Sequence, residues 1–269
     1  MAYPYADNNG VHVGHNSNER QELSSKTLNL TKVFGYMAIA ILLTAILSIG
    51  SSFLIQAVGG ITKENDYTLL INNINGFVGL IIGAVIALIG TTVCSIVCGA
   101  LTVTRSHKAK SHAVFVPFAI YVLCIGYLFG FIVLAVPWQA LAVSFGISAL
   151  VYGLLALIGL ISKGNLNPLL WVSMGLMSGI LLLVLTNFIL LLLVPALITP
   201  LWWVVSIAIF IVLILTTIWD VWNIKNIASY GEMTPNLSAF CAFRLYCDFI
   251  AIFLRILYFV LLIFGRSKR

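Results

Sequence analysis

Charged side chains are scarce in this sequence. Asp, Glu, Lys and Arg make up 8% of the 269 residues, whereas 61% are hydrophobic and the mean hydropathy is +1.10. A soluble domain covers its surface with ionisable groups, which usually form about a quarter of its residues. The shortage therefore excludes an ordinary soluble enzyme or binding module, and it makes lipid the solvent of this chain.

The sequence also offers little for a metal centre, a disulfide framework or a nucleic-acid surface. All five cysteines fall in apolar runs without a Cys–His cluster. Cys94 and Cys98 are one helical turn apart, but they are better explained as small residues of a packed helix than as a redox pair. The net charge of +6 comes from Lys and Arg at the ends of the apolar runs. We therefore expect no nucleic-acid partner and no resident cofactor.

Residues 1–28 are rich in Asn, Ser, Gly and charge, and they lack the basic start and apolar core of a signal peptide. We predict a disordered polar tail over 1–28 and one transmembrane domain over 29–269. Within that domain, seven apolar runs reach about the 20 residues that a span needs. The sequence thus predicts an all-α integral membrane protein. The predicted spans are 33–58, 77–104, 113–136, 141–162, 169–194, 200–224 and 237–264.

Basic residues orient the spans, because cytoplasmic loops carry an excess of Lys and Arg. With the N-terminus in the cytoplasm, eight basic residues of the first six spans lie inside and only Lys63 lies outside. The short polar loops fit a bacterial plasma membrane. The basic end 266–269 should also lie inside, which conflicts with a seventh crossing. The last segment is therefore expected either to enter and return or to sit within the bundle.

Four charges fall inside predicted spans: Asp220, Arg244, Asp248 and Arg255. A charge at the bilayer centre costs roughly 2.5–3.5 kcal/mol on insertion scales, so such residues usually face a cavity or a partner. Arg244, Asp248 and Arg255 share one face of the last helix. Asp220 shares a face of the preceding helix with Thr216, Thr217 and Asn223. The two polar faces are predicted to meet inside the bundle.

If the Asp220 and Asp248 carboxyl groups approach within hydrogen-bonding distance, both cannot remain ionised where the dielectric constant is low. The pair would then hold a single proton near neutral pH and titrate as a unit. Protonation would cancel charge and weaken the hold on a cation. Calcium needs roughly 6–8 oxygen ligands, so the two aspartates predict a transient calcium site on a transport path. A plain structural role, in which each acid neutralises an arginine, remains the alternative.

The same acids carry a resemblance to a family. Residues 245–253, LYCDFIAIF, are similar to the "LYLDFINLF" signature in the last helix of the Bax inhibitor (transmembrane Bax-inhibitor-motif) family. Trp219-Asp220, followed by Ile224-Lys225, resembles the preceding "YD…IK" element of that family. The resemblance implies a bundle of seven helices with the C-terminal helix at its centre. Bacterial members resemble pH-sensitive calcium leak channels, in which the acids matching Asp220 and Asp248 form the proton sensor.

This sequence departs from the family pattern at several positions. The bacterial members carry an acid midway along the second helix, where residues 90–99 here offer only Thr, Cys and Ser as polar side chains. The resemblance also implies a basic partner for Asp220 near the end of that helix, for which Arg105, His107 and Lys108 are candidates. Cys247 replaces the usual Leu and Ala251 the usual Asn. With these departures, either gating is expected to differ from that of the bacterial members or conduction is expected to be absent.

Two other functions fit parts of the sequence. Intramembrane aspartyl proteases also place two aspartates on consecutive helices, but Asp248 lacks their glycines and no Pro-Ala-Leu element follows it. We therefore expect no enzyme. The second alternative is a non-conducting protein that modulates a membrane protease or another integral membrane partner through its tail and loops. For the channel, the expected partners are the lipid bilayer, protons and calcium as the transported ion.

Overall fold

Seven helices and one hairpin form the described part of the chain. The computed structural model describes the backbone of residues 9–65, 68–71, 73–105, 113–193, 198–229 and 233–267, and the side chains of 27–60, 73–101, 113–182, 184, 205–229 and 233–263. The elements are α1 (Asn9–Gly59), β1 (Ile61–Asn65), β2 (Thr68–Ile71), α2 (Ile74–Arg105), α3 (Phe115–Ala135), α4 (Trp138–Ile161), α5 (Asn167–Leu193), α6 (Ile198–Ser229) and α7 (Pro235–Ser267).

The helices confirm the predicted all-α membrane domain. Six of them are long and apolar enough to cross a membrane within the described residues. The seventh, α5, is apolar over Asn167–Leu182 within the described side chains, and its sequence stays apolar to Leu193. Each predicted span corresponds to one helix, and most bounds agree within a few residues.

Helix α1 starts well before its apolar part. The apolar span is Thr27–Gly59, whereas the helix begins at Asn9. Residues 9–28 belong to this helix and residues 1–8 lie outside the described part, so the division into a polar tail over 1–28 and a membrane domain over 29–269 stays a prediction. Extending a helix costs far less than nucleating one, so the apolar span can propagate helical structure into the polar segment.

The loop between α1 and α2 contains a short antiparallel hairpin, β1–β2, which the sequence interpretation missed. Gly60 ends α1 with a φ of 57°, a left-handed conformation that favours glycine. Asn73 then joins the two helices: its Nδ2 donates to the Val58 carbonyl at 3.1 Å, and its Oδ1 accepts from the Gly76 amide at 3.1 Å. One side chain thus satisfies a terminal carbonyl of α1 and a terminal amide of α2.

Helix α7 lies at the centre of the bundle, as predicted. It contacts α1, α2, α3, α4 and α6. In its most apolar 18-residue window 44% of the residues are buried, against 17–33% in the other five spans. The expected alternative of a segment that enters and returns is wrong, because α7 is one continuous helix of 33 residues. At 1.5 Å per residue it is about 50 Å long, more than a bilayer core of about 30 Å.

Small residues allow the helices around α7 to approach closely. A Cβ atom on Gly126 of α3 would lie 2.6 Å from Leu47 Cβ of α1. On α4, a Cβ on Gly159 would lie 2.8 Å from the Ile218 carbonyl oxygen and 2.9 Å from Val221 Cβ of α6. Because helix association in lipid depends on van der Waals packing, these contacts hold the outer helices together.

Gly159→Ala should destabilise the protein by about 1–3 kcal/mol, because the added methyl group forces α4 away from the backbone of α6. Gly153→Ala is the matched control on the same helix, since its Cβ would meet nothing within 4 Å. That change should be neutral or slightly stabilising, because alanine favours a helix over glycine. Unfolding of both variants in detergent micelles measures the difference. Equal stability of the two variants would contradict this packing.

Candidate functional site

A polar cavity of about 400 Å³ lies where α2, α6 and α7 meet. Helix α7 supplies Arg244 and Asp248 to its wall, and α6 supplies Asp220. The remaining wall is made by Ser95, Gly99, Thr216, Phe240, Phe243 and Cys247. The polar faces that the sequence predicts on α6 and α7 therefore do meet inside the bundle.

Asp220 is buried in the wall of this cavity and pairs with an arginine of the neighbouring helix. Its side chain is 3% exposed, and its Oδ1 lies 2.7 Å from Nε of Arg244, whose side chain is 40% exposed. The contact is an ion pair between α6 and α7. The buried acid is thus held by a base that is itself partly exposed.

Arg244 also contacts the ring that precedes Asp220 in the chain. Its guanidinium carbon lies 5.0 Å from the centroid of the Trp219 ring, within the range of a cation–π interaction. Ion pair and ring together fix the position of the guanidinium group against α6.

Asp248 lies one helical turn after Arg244 on α7 and faces the same cavity. Its carboxyl group and that of Asp220 line the same cavity, which places the two acids on facing sides of α6 and α7. Among the described residues, Asp248 Oδ2 is buried without a hydrogen-bond partner. Two carboxyl groups and one guanidinium group therefore share one partly enclosed space.

The comparison with protein families identifies the family of this bundle. The model of the family described as "Inhibitor of apoptosis-promoting Bax1" matches residues 27–267. The chain belongs to this family. The resemblance carried by residues 219–225 and 245–253 is thereby confirmed, and both motifs lie on the two helices that form the cavity. No curated protein matches the chain.

The structure of this Bax inhibitor family member brings together some of the predicted site residues and separates others. Asp220, Asp248 and Arg244 share the cavity. Arg255 faces α6 as well, but its Nη1 donates to Ser206 Oγ at 3.4 Å. Eleven residues separate Arg255 from Arg244, which is about 16 Å along a helix, so Arg255 lies apart from the ion pair of Arg244 and Asp220.

The candidate bases at the end of α2 are not tested by the structure. Arg105 is the last residue of α2, but its side chain lies outside the described part, as do His107 and Lys108 entirely. The resemblance makes one of them the partner of Asp220, whereas the partner that the structure provides is Arg244. Helical spacing placed Arg244 and Arg255 on the face of Asp248, but it did not identify which arginine contacts an acid or which acid that is.

Helix α2 contributes a part of the cavity that the sequence interpretation did not identify. Ser95 and Gly99 are four residues apart on α2 and line the cavity opposite the acids. Their i, i+4 spacing places both on one face of α2, which could have indicated the cavity wall. Small residues are common in membrane helices, however, so the spacing alone carries little information. Within the described residues, no group of three or more His, Cys, Asp or Glu side chains could hold a metal ion.

Arg244→Gln should lower the free energy of unfolding by about 1–3 kcal/mol, the usual cost of leaving a buried acceptor without its partner. The loss should be largest at alkaline pH and shrink at acid pH, where the acid can take up a proton instead. Arg255→Gln is the control, because Arg255 contacts a serine rather than an acid. Denaturant unfolding at several pH values in detergent micelles measures both. A pH-independent loss in Arg244→Gln, equal to that of Arg255→Gln, would contradict the ion pair.

Proposed function

We propose that this protein is a proton-sensitive cation leak channel of a bacterial plasma membrane, with its N-terminus in the cytoplasm and calcium as the transported ion. The observation that supports it is the buried Asp220 beside Asp248 and Arg244, in a cavity between α2, α6 and α7. Membership of the Bax inhibitor family supports a multi-span membrane protein. The proton sensor within it is the acid pair.

The charge balance of the cavity supports proton sensing. Arg244 is the base that contacts Asp220, and it neutralises one carboxylate. A second ionised carboxylate in the same cavity would exceed the single base that the described side chains bring to it. One proton shared by the pair removes that charge, so the pair should gain or lose it as a unit. The cavity then changes its net charge by one as the pH changes.

This change of charge acts on a cation in two ways. When the pair loses its proton, the cavity becomes net negative and attracts cations. The same loss gives Arg244 a second carboxylate to contact, so the guanidinium group competes with an entering ion for the same oxygens. Two carboxylates supply only part of the roughly 6–8 oxygens that calcium takes. The site is therefore suited to brief occupancy during transport rather than to storage, and the acids act as sensor and ligand rather than as catalysts.

Calcium flux into liposomes tests the proposal. The purified protein should pass calcium, with a rate that falls several-fold from mildly alkaline to mildly acid pH because protonation removes the negative charge. Asp220→Asn should make the flux insensitive to pH, and Asp248→Asn should do the same, because each change leaves one carboxyl group and no shared proton. Glu22→Gln removes one negative charge before the apolar part of α1 and should keep the wild-type pH profile.

Absence of calcium flux over the whole pH range would contradict the channel and favour the alternative of a non-conducting protein that modulates an integral membrane partner. Flux that keeps its full pH dependence in Asp220→Asn would contradict the acid pair as the sensor while leaving conduction in place.

A further inference from the structure

A second cavity, of about 370 Å³, lies on the opposite side of α7 from the acid pair. Helices α1, α3 and α4 form its walls, and α7 forms its floor. The floor residues Phe249, Ile250 and Phe253 are 4–7% exposed, whereas Trp138 at the start of α4 is 72% exposed. The cavity therefore opens at the lipid-facing surface and extends inward to the central helix.

The lining excludes a polar occupant. Thr44 and Ser48 supply the hydroxyl groups of the wall, and both are already bonded: Thr44 to the Ala40 carbonyl and the Tyr246 hydroxyl, and Ser48 to the Ala45 carbonyl. Every other lining residue is aliphatic or aromatic. Apolar cavities of this kind do not hold water, since water needs two or more polar partners.

We propose that this cavity is a binding site for the acyl chain of a membrane phospholipid. The cavity is continuous with the lipid-facing surface of α1, α3 and α4, so acyl chains are the apolar groups at its mouth. Trp138 supports the assignment of this mouth to the membrane interface, where tryptophan is enriched. An acyl chain that enters the cavity makes van der Waals contacts along its walls.

The site differs from ordinary lipid contact because it reaches α7 beside the acid pair. Phe249 follows Asp248 in the chain, and its ring packs edge-on against Tyr152 at 5.6 Å and against Phe145 at 5.8 Å. Phe145 is itself a wall residue of the cavity. A bound chain thus contacts the same turn of α7 that carries Asp248. The proposal rests on the membrane-spanning fold and not on conduction.

Photolabelling from a lipid probe tests the site. The protein is reconstituted into liposomes that contain a phosphatidylcholine with a diazirine in its acyl chain, irradiated and digested with trypsin, which cuts after Arg244 and Arg255. Fragmentation of the peptide 245–255 then locates the label. Leu254 is 39% exposed and reports ordinary lipid contact. We expect label on Phe249, Ile250 or Phe253 as well as on Leu254.

Ala142→Phe fills the cavity from α4 and should reduce the label on the floor residues several-fold without changing that on Leu254. Ala149→Phe is the control, since Ala149 lies two turns further along the same exposed face and outside the cavity. Ala45→Phe fills the cavity from α1 and gives a second, independent variant. Label confined to Leu254 in the wild type, or floor labelling unchanged in both filling variants, would overturn the proposal.

Discussion

A carboxylate that leaves water for the interior of a membrane protein loses several kcal/mol of solvation, and Asp220 is 3% exposed. The contact with Arg244 of α7 compensates part of that loss, and it requires α6 and α7 to be neighbours with their polar faces opposed. Arg244 is itself held against Trp219. Once α7 faces α6 in this way, its other faces are left for α1, α3 and α4, which pack on it through Tyr246, Phe249 and Phe253. The central position of α7 follows, because one of its faces packs on α6 and its other faces pack on α1, α3 and α4.

The two sides of α7 therefore meet different surroundings. One side carries Arg244, Cys247 and Asp248 and faces the polar cavity, and the other carries Phe249, Ile250 and Phe253 and faces the apolar one. The chemical contrast matches the amphipathic character of α7. The neighbouring α6 is less amphipathic. Because a single turn of α7 borders both cavities, a change of charge on one side and a change of packing on the other act on the same short segment.

Much of this arrangement could be predicted from the sequence, because long apolar runs have few alternatives in lipid. The runs located all seven helices, and the helical spacing of Arg244 and Asp248 located the polar face of α7. Contacts between helices were less accessible. The spacing does not distinguish Arg244 from Arg255 as the partner of Asp220, because both lie on the same face of α7. The two arginines are about 16 Å apart along the axis of α7, and Arg244 is the one that contacts Asp220.

Other features are not indicated by any local pattern of the sequence. The hairpin β1–β2 arises in a polar loop whose length alone did not indicate strands, and the helical extension of α1 before Thr27 runs against its composition. The apolar cavity is formed by residues that all read as ordinary lipid-facing or core positions. Ser95 and Gly99 line the cavity because α2 passes beside the acids.

Infrared spectroscopy of the carboxyl groups tests the central claim most directly, because a protonated carboxyl group absorbs separately from a carboxylate. The protein in membranes should show one protonated carboxyl group near neutral pH, and its absorption should be lost at alkaline pH. Carboxyl groups in water are already ionised at neutral pH, so they do not contribute to this absorption. That absorption should disappear in both Asp220→Asn and Asp248→Asn, because either change leaves a single acid to pair with Arg244. A wild-type spectrum without a protonated carboxyl group near neutral pH, or one unchanged in both variants, would contradict the shared proton.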